Sequence, residues 1–121
     1  MTTVYTSAGA ALVVDIIGET TSVQTYYVAW GSGAGSFTRA STALFAEASE
    51  ARVAASASQP TDNTNRWTGR LTANAAKTIT EAGVFSVSGT AAGTMVVAGD
   101  FSGLVLASGD SIEFSIDLRH T

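Results

Sequence analysis

The clearest pattern lies in the final stretch, Gly103 to His120. There Ile112, Phe114, Ile116 and Leu118 alternate without a break with Ser111, Glu113, Ser115, Asp117 and Arg119. Alternation of period two puts the first set on one face of a strand and the second set on the other. The pattern predicts a half-buried β-strand that pairs inside a sheet. By the same rule Arg66–Asn74 is a strand, with Trp67, Gly69, Leu71 and Ala73 facing in and Arg66, Thr68, Arg70 and Thr72 facing out. Lys77–Phe85 is another, and the slip of alternation at Glu81-Ala82-Gly83 predicts a β-bulge at Gly83. Thr94–Phe101 and Leu104–Ala107 read as strands, and Ser108-Gly109-Asp110 as the turn into the last one.

Earlier in the chain the pattern is less regular. Ala11–Ile17 (ALVVDII) is rich in β-branched residues and closed by Gly18, which predicts a buried strand. Gln24–Trp30 (QTYYVAW) carries large residues in both phases and predicts a central strand, or one covered by a partner. Gly31–Ser36 is a glycine-rich loop. Ser41–Ala48 (STALFAEA) predicts a short helix with Ser41 as N-cap. Glu50–Ser58 alternates and predicts a strand; Gln59–Asn65, which holds the only proline, predicts a loop. Residues 1–10 form a small-residue arm, with Val4 and Tyr5 as its large side chains, to be ordered by a neighbour. The expected fold is all-β: after the arm, residues 11–121 make a single jelly-roll-like β-sandwich of about seven to eight strands with one short helix.

Composition adds a constraint on the surface. Charged residues are 13% of the chain, about half the usual share of roughly 25%. The exterior must therefore be built from Ser, Thr, Ala and Gly, which suits a protein that hides surface in an assembly. The net charge is −4, and the basic residues Arg39, Arg52, Arg66, Arg70, Lys77 and Arg119 are scattered. No basic stripe is present to neutralise phosphates, so no nucleic-acid partner is expected. No membrane partner is expected either: the apolar run Ala8–Ile17 is broken by Asp15 and too short to span a bilayer. The first basic residue is Arg39, which argues against a secretory leader and predicts synthesis in the cytoplasm.

Candidate chemistry is sparse. There is no cysteine and one histidine, His120, placed as a solvated tail residue. Triad and thiolate mechanisms lack their parts, zinc lacks ligands, and neither enzymatic activity nor a cofactor nor a metal is expected. The loop Gly31–Ser36 has no following Lys-Ser/Thr and meets no nucleotide fingerprint. Asp62, Asn63, Asp100 and Asp110 offer oxygen ligands of the kind calcium takes, but without an EF-hand pattern they read as turn formers. Glu113 and Asp117 share a strand face, where a solvated face outweighs a glycosidase pair. Trp67, between Arg66 and Arg70, is either a sugar-stacking platform or a core residue; Leu71 and Ala73 in the same phase favour the core.

Four stretches, YYVAWGSGAG (26–35), STALFAEASEARVA (41–54), TITEAGVF (78–85) and LVLASGDSIEFSIDL (104–118), together resemble a family of small β-proteins from tailed bacteriophages. In that family a W-G-x-G turn, a short T-A-L-x-x-E helix, an I-T-E-A-G-[LV]-F strand and a [LV]-x-x-G-D-x-[IL] terminal hairpin recur in this order. The resemblance covers most of the chain after residue 24. It implies a non-enzymatic virion protein: a capsid decoration (cement) protein on the capsid exterior, bound to the major capsid protein and to its own copies as a homotrimer. Val4 and Tyr5 are then the expected shell or subunit contacts. The alternative is a tail-fibre or receptor-binding module, with Arg66, Trp67 and Arg70 as the glycan site.

Overall fold

The computed structural model describes residues 2–18 and 25–120. Its elements in chain order are β1 (Thr2–Tyr5), α1 (Ser7–Ile17), β2 (Tyr27–Gly31), β3 (Val53–Ala54), β4 (Ser56–Thr61), β5 (Thr64–Thr72), β6 (Lys77–Phe85), β7 (Met95–Leu106) and β8 (Ser111–Arg119). Two antiparallel sheets result, one of order β1-β7-β6-β2-β3 and one of order β4-β5-β8. The all-β sandwich read from the alternation is the fold observed.

The space between the sheets is filled by the residues the alternation aimed inward. Trp67 and Leu71 of β5, with Ile112, Phe114, Ile116 and Leu118 of β8, meet Val28 and Trp30 of β2, Ile79 and Val84 of β6, and Val97 and Leu106 of β7. β5 and β8 stay in register over nine pairs, from Thr64↔Arg119 to Thr72↔Ser111. A second apolar cluster lies on the far face of the five-stranded sheet. There Ala29, Phe85, Met95 and Ala98 pack with Phe37 and Leu44 from the loop 32–48.

Several expectations are corrected. Residues 11–17 are not a strand but the body of α1. The helix starts because Thr6 caps it: its side chain accepts a hydrogen bond from Gly9 N at 2.9 Å. Residues 2–10 are not an arm waiting for a neighbour. β1 pairs with β7 from Thr2↔Asp100 to Tyr5↔Val97, and Thr6, fully buried, donates its hydroxyl to the Met95 carbonyl. Helix α1 can lie this close to β7 because residue 9 is glycine; a Cβ there would come within 2.5 Å of the Val96 carbonyl oxygen.

The short helix expected at Ser41–Ala48 does not form. Its backbone groups are claimed elsewhere: Ser32 N donates to Ala46 O at 3.0 Å, Ala48 N donates to Trp30 O at 3.0 Å, and Glu47 bridges to Gly31. Ser41 closes a turn with Thr38 instead of capping. The loop expected at Gln59–Asn65 shrinks to a tight turn at Asp62-Asn63, and Pro60 sits in the edge strand β4, where no ladder donor is needed. The strands expected at Thr94–Phe101 and Leu104–Ala107 are one long strand, β7. Gly83 is not bulged: it pairs with Ala29 on one side and Ala98 on the other. The register shifts lie between Ile79 and Glu81 and between Val84 and Phe85, and the extra residues are on β7. The expected start of β2 at Gln24 lies outside the described residues.

Candidate functional site

The glycine-rich loop after β2 is built around a carboxylate. Glu81, in the middle of β6, is 1% exposed and points to the loop side of the sheet. It accepts hydrogen bonds from three backbone amides, Gly33 N at 2.9 Å, Phe45 N at 2.8 Å and Ala46 N at 2.8 Å. Thr80 adds a fourth tie, its hydroxyl donating to Gly33 O at 2.7 Å. A Cβ at residue 31 would lie 2.4 Å from a Glu81 carboxylate oxygen, and one at residue 33 would lie 2.3 Å from Phe45 Cβ. Glycine at both positions is what lets the loop wrap the carboxylate. The W-G-x-G and I-T-E-A-G patterns are therefore two halves of one structural device.

The remaining charged groups of these motifs are spent in the same way. Glu47 forms a two-pronged ion pair with Arg52, at 2.8 and 2.9 Å. The Arg52 guanidinium, on a residue 6% exposed, also donates to the carbonyls of Val87 and Ala92, each at 2.9 Å, and lies 3.7 Å over the Phe85 ring. One side chain thus fixes the turn between β6 and β7. Burial pushes the Glu47 carboxyl up, but the hydrogen bonds from Arg52 and from Ala91 N outweigh it and leave the pKa below normal. Glu50 is a third node. It pairs with Lys77 and accepts from Asn74 N at 2.8 Å and from the Trp30 indole at 3.2 Å. Burial raises its pKa, yet the bonds from Lys77, Asn74 and Trp30 prevail and lower it to about 2.

The residues singled out from sequence fall as follows. Trp67 is 7% exposed and tilts against Tyr26 with ring centroids 5.5 Å apart. Arg66 and Arg70 lie on the opposite, outer face of β5, where Arg66 pairs with Asp117 at 2.7 Å and Arg70 approaches Glu113 at 3.9 Å. The expected grouping of Arg66, Trp67 and Arg70 into one sugar platform is thereby corrected: alternation along the strand separates the ring from both cations. Glu113 and Asp117 belong to that solvated ladder, and the Arg66 hydrogen bond holds the Asp117 carboxyl below its usual range.

Val4 and Tyr5 are half-buried, Val4 beside the Phe37 cluster and Tyr5 beside the Trp67 cluster. His120 is not a free tail: its backbone N–H donates to Asn63 O at 2.7 Å, its ring meets Asn65 at 2.9 Å, and it stands edge-on to Tyr5. Asp110 accepts from Ala107 N at 2.9 Å as a turn former. Among the described residues no group of three or more His, Cys, Asp or Glu is placed to hold a metal ion.

The surface that sequence reasoning missed is α1. Seen as a strand, ALVVDII was expected to be buried. As a helix it has one charged residue, Asp15, and an apolar circumference. Only Gly9 is fully buried; Val14 is 67% and Ile17 77% exposed. Beside it runs a groove of about 580 Å³ whose floor is Trp67, Val96 and Leu118 and whose wall is Leu12, Val13 and Ile16. Gln59, Asn65 and His120 supply its polar rim. The helix is too short to cross a membrane. The chain matches no family model, and neither a curated protein nor a solved structure is found similar to it.

Proposed function

We propose that this chain is a non-enzymatic structural protein of a tailed-bacteriophage virion. As a decoration protein it sits on the capsid exterior, bound to the major capsid protein and to its own copies, after synthesis in the host cytoplasm. The observation that carries this proposal is the outward apolar face of α1. An exposed apolar patch of this kind marks a contact surface. The chemistry-bearing side chains Glu47, Glu50, Arg52, Lys77 and Glu81 are consumed by bonds within the fold, which leaves shape and apolar contact as the means of binding. The resemblance in the loop, strand and hairpin motifs supplies the partner. Because such a protein binds the assembled shell and not its free subunits, mass action stabilises the shell.

The α1 face takes over the role expected of Val4 and Tyr5, which are half-engaged in the core. The test is the double substitution Val14→Asp and Ile17→Asp, mixed with capsids stripped of the protein and sedimented. Both positions are largely exposed, so the fold should survive. Each lost aliphatic contact removes about 1.5 kcal/mol or more, so affinity should drop about a hundredfold. Unchanged occupancy of the capsids by a folded double variant would refute α1 as the docking face.

A further inference from the structure

The three-stranded sheet ends in an unusual edge. β8 pairs with β5 on one side only, and among the described residues no strand covers its other side. A free edge presents a row of N–H and C=O groups that invites another strand, and proteins normally guard it with a proline, a bulge, brevity or charged side chains; on β8 the charges are of both signs, so they can also pair across a two-fold. Among the described residues the other outermost strands of the two sheets are guarded. β4 carries Pro60 and a register shift between Ser58 and Thr61; β3 has two residues and β1 four. β8 has nine residues, an unbroken register, no proline and no glycine.

The same side of the sandwich is open in the facing sheet. β1 pairs with β7 only as far as Asp100, so the rest of β7 is also an uncovered edge. Leu104 and Val105 there are 44% and 83% exposed. Between the two edges lies a cleft of about 280 Å³ lined by Phe101, Phe114 and Ile116.

We infer that β8 pairs antiparallel with β8 of a second copy of this chain, related by a two-fold axis. Charge selects the register. With Ile116 opposite its own symmetry mate, Glu113 of each copy faces Arg119 of the other, Ser115 faces Asp117, and on the inner face Phe114 faces Leu118. Arg119 has no ion-pair partner within its own chain among the described residues. The register centred on Ser115 instead opposes Glu113 to Asp117 twice, setting four carboxylates together. The contact is isologous and closes at two chains, joining two three-stranded sheets into one of six strands. It goes beyond the capsid-binding proposal, uses a different face from α1, and replaces the threefold clustering implied by the resemblance with a two-fold pair.

Light scattering on the full chain should give a two-chain mass that dissociates on dilution. Arg119→Glu should weaken the dimer by roughly tenfold, two exposed pairs being turned repulsive. Adding Glu113→Arg should restore it, with an unchanged circular dichroism spectrum of each variant as the control for folding. Amide exchange in Ser111–Arg119 should slow with rising protein concentration. A monomer at all concentrations, a three-chain mass, or a dimer indifferent to Arg119→Glu would each overturn the inference. None of these results bears on capsid sedimentation by the α1 variant, so the two proposals fail separately.

Discussion

Glu81→Gln tests the device on which the loop 32–48 depends. The carboxylate receives three amides, two on one oxygen and one on the other: Gly33 N and Ala46 N meet Oε2, and Phe45 N meets Oε1. A carboxamide of the same shape has one acceptor oxygen. Turned to serve Gly33 and Ala46, it points its NH2 group at the Phe45 amide, donor against donor. The substitution therefore removes one charge-assisted bond, weakens two and leaves a partly buried N–H unpaired. Together these cost about 2–3 kcal/mol, a large share of a total stability of roughly 5–15 kcal/mol. For a domain of this size the melting temperature should fall by about 10 °C. Circular dichroism melts measure the global loss, and amide exchange at Phe45 and Ala46 locates it. If Glu81→Gln melts within about 2 °C of the parent, with those two amides equally protected, the carboxylate does not hold the loop and the reasoning fails.

Two further outcomes follow from the other nodes. Arg52→Met should destabilise by about 2–4 kcal/mol, because it takes the cation from the half-buried Glu47 carboxylate and frees the carbonyls of Val87 and Ala92; a urea midpoint unchanged from the parent would contradict this. Glu50 has a folded pKa of about 2 against an ordinary 4.5, so its stabilisation is complete above pH 4.5 and is lost as the pH falls from there towards 2. Glu50→Gln should accordingly be less stable than the parent at pH 7 and show a shallower loss in that window, where Glu47 still titrates; equal slopes in urea midpoints at pH 5, 4 and 3 would count against the assignment.

The strands of the second half were legible because half-buried strands in a two-layer fold write their orientation as alternation. β5 and β8 carry the inward and outward sets that the sequence pattern assigns to them. Two segments misled for physical reasons. ALVVDII is apolar without a period, and such a run does not distinguish strand from helix; the signal that would have helped was Thr6 followed by three alanines in residues 8–11, a cap before the best helix former. STALFAEA has helical propensity, but a distant carboxylate and the end of β2 bind its amides and carbonyls more profitably than its own backbone would. Neither partner is visible in a local window. The motif residues were conspicuous in the sequence, yet their roles were not: Glu81 interrupts the alternation because it faces the loop side, and only the pairing of β6 with β2 brings it to the glycines. The α1 face was hidden by the strand assignment itself.

The pairing of β1 with β7 has a consequence for how the chain acquires its shape. Thr2 to Thr6 find their partners only at Met95 to Asp100, nearly the whole chain away. Contacts so distant in sequence close late, after the local hairpins β4–β5 and β6–β7 have formed. As the polypeptide leaves the ribosome, residues 2–17 stay without a seat until β7 has been synthesised, and the apolar residues of α1 are exposed meanwhile. Residues 2–17 are thus expected to settle after the hairpins, and biogenesis then depends on keeping that segment from other apolar surfaces until β7 emerges.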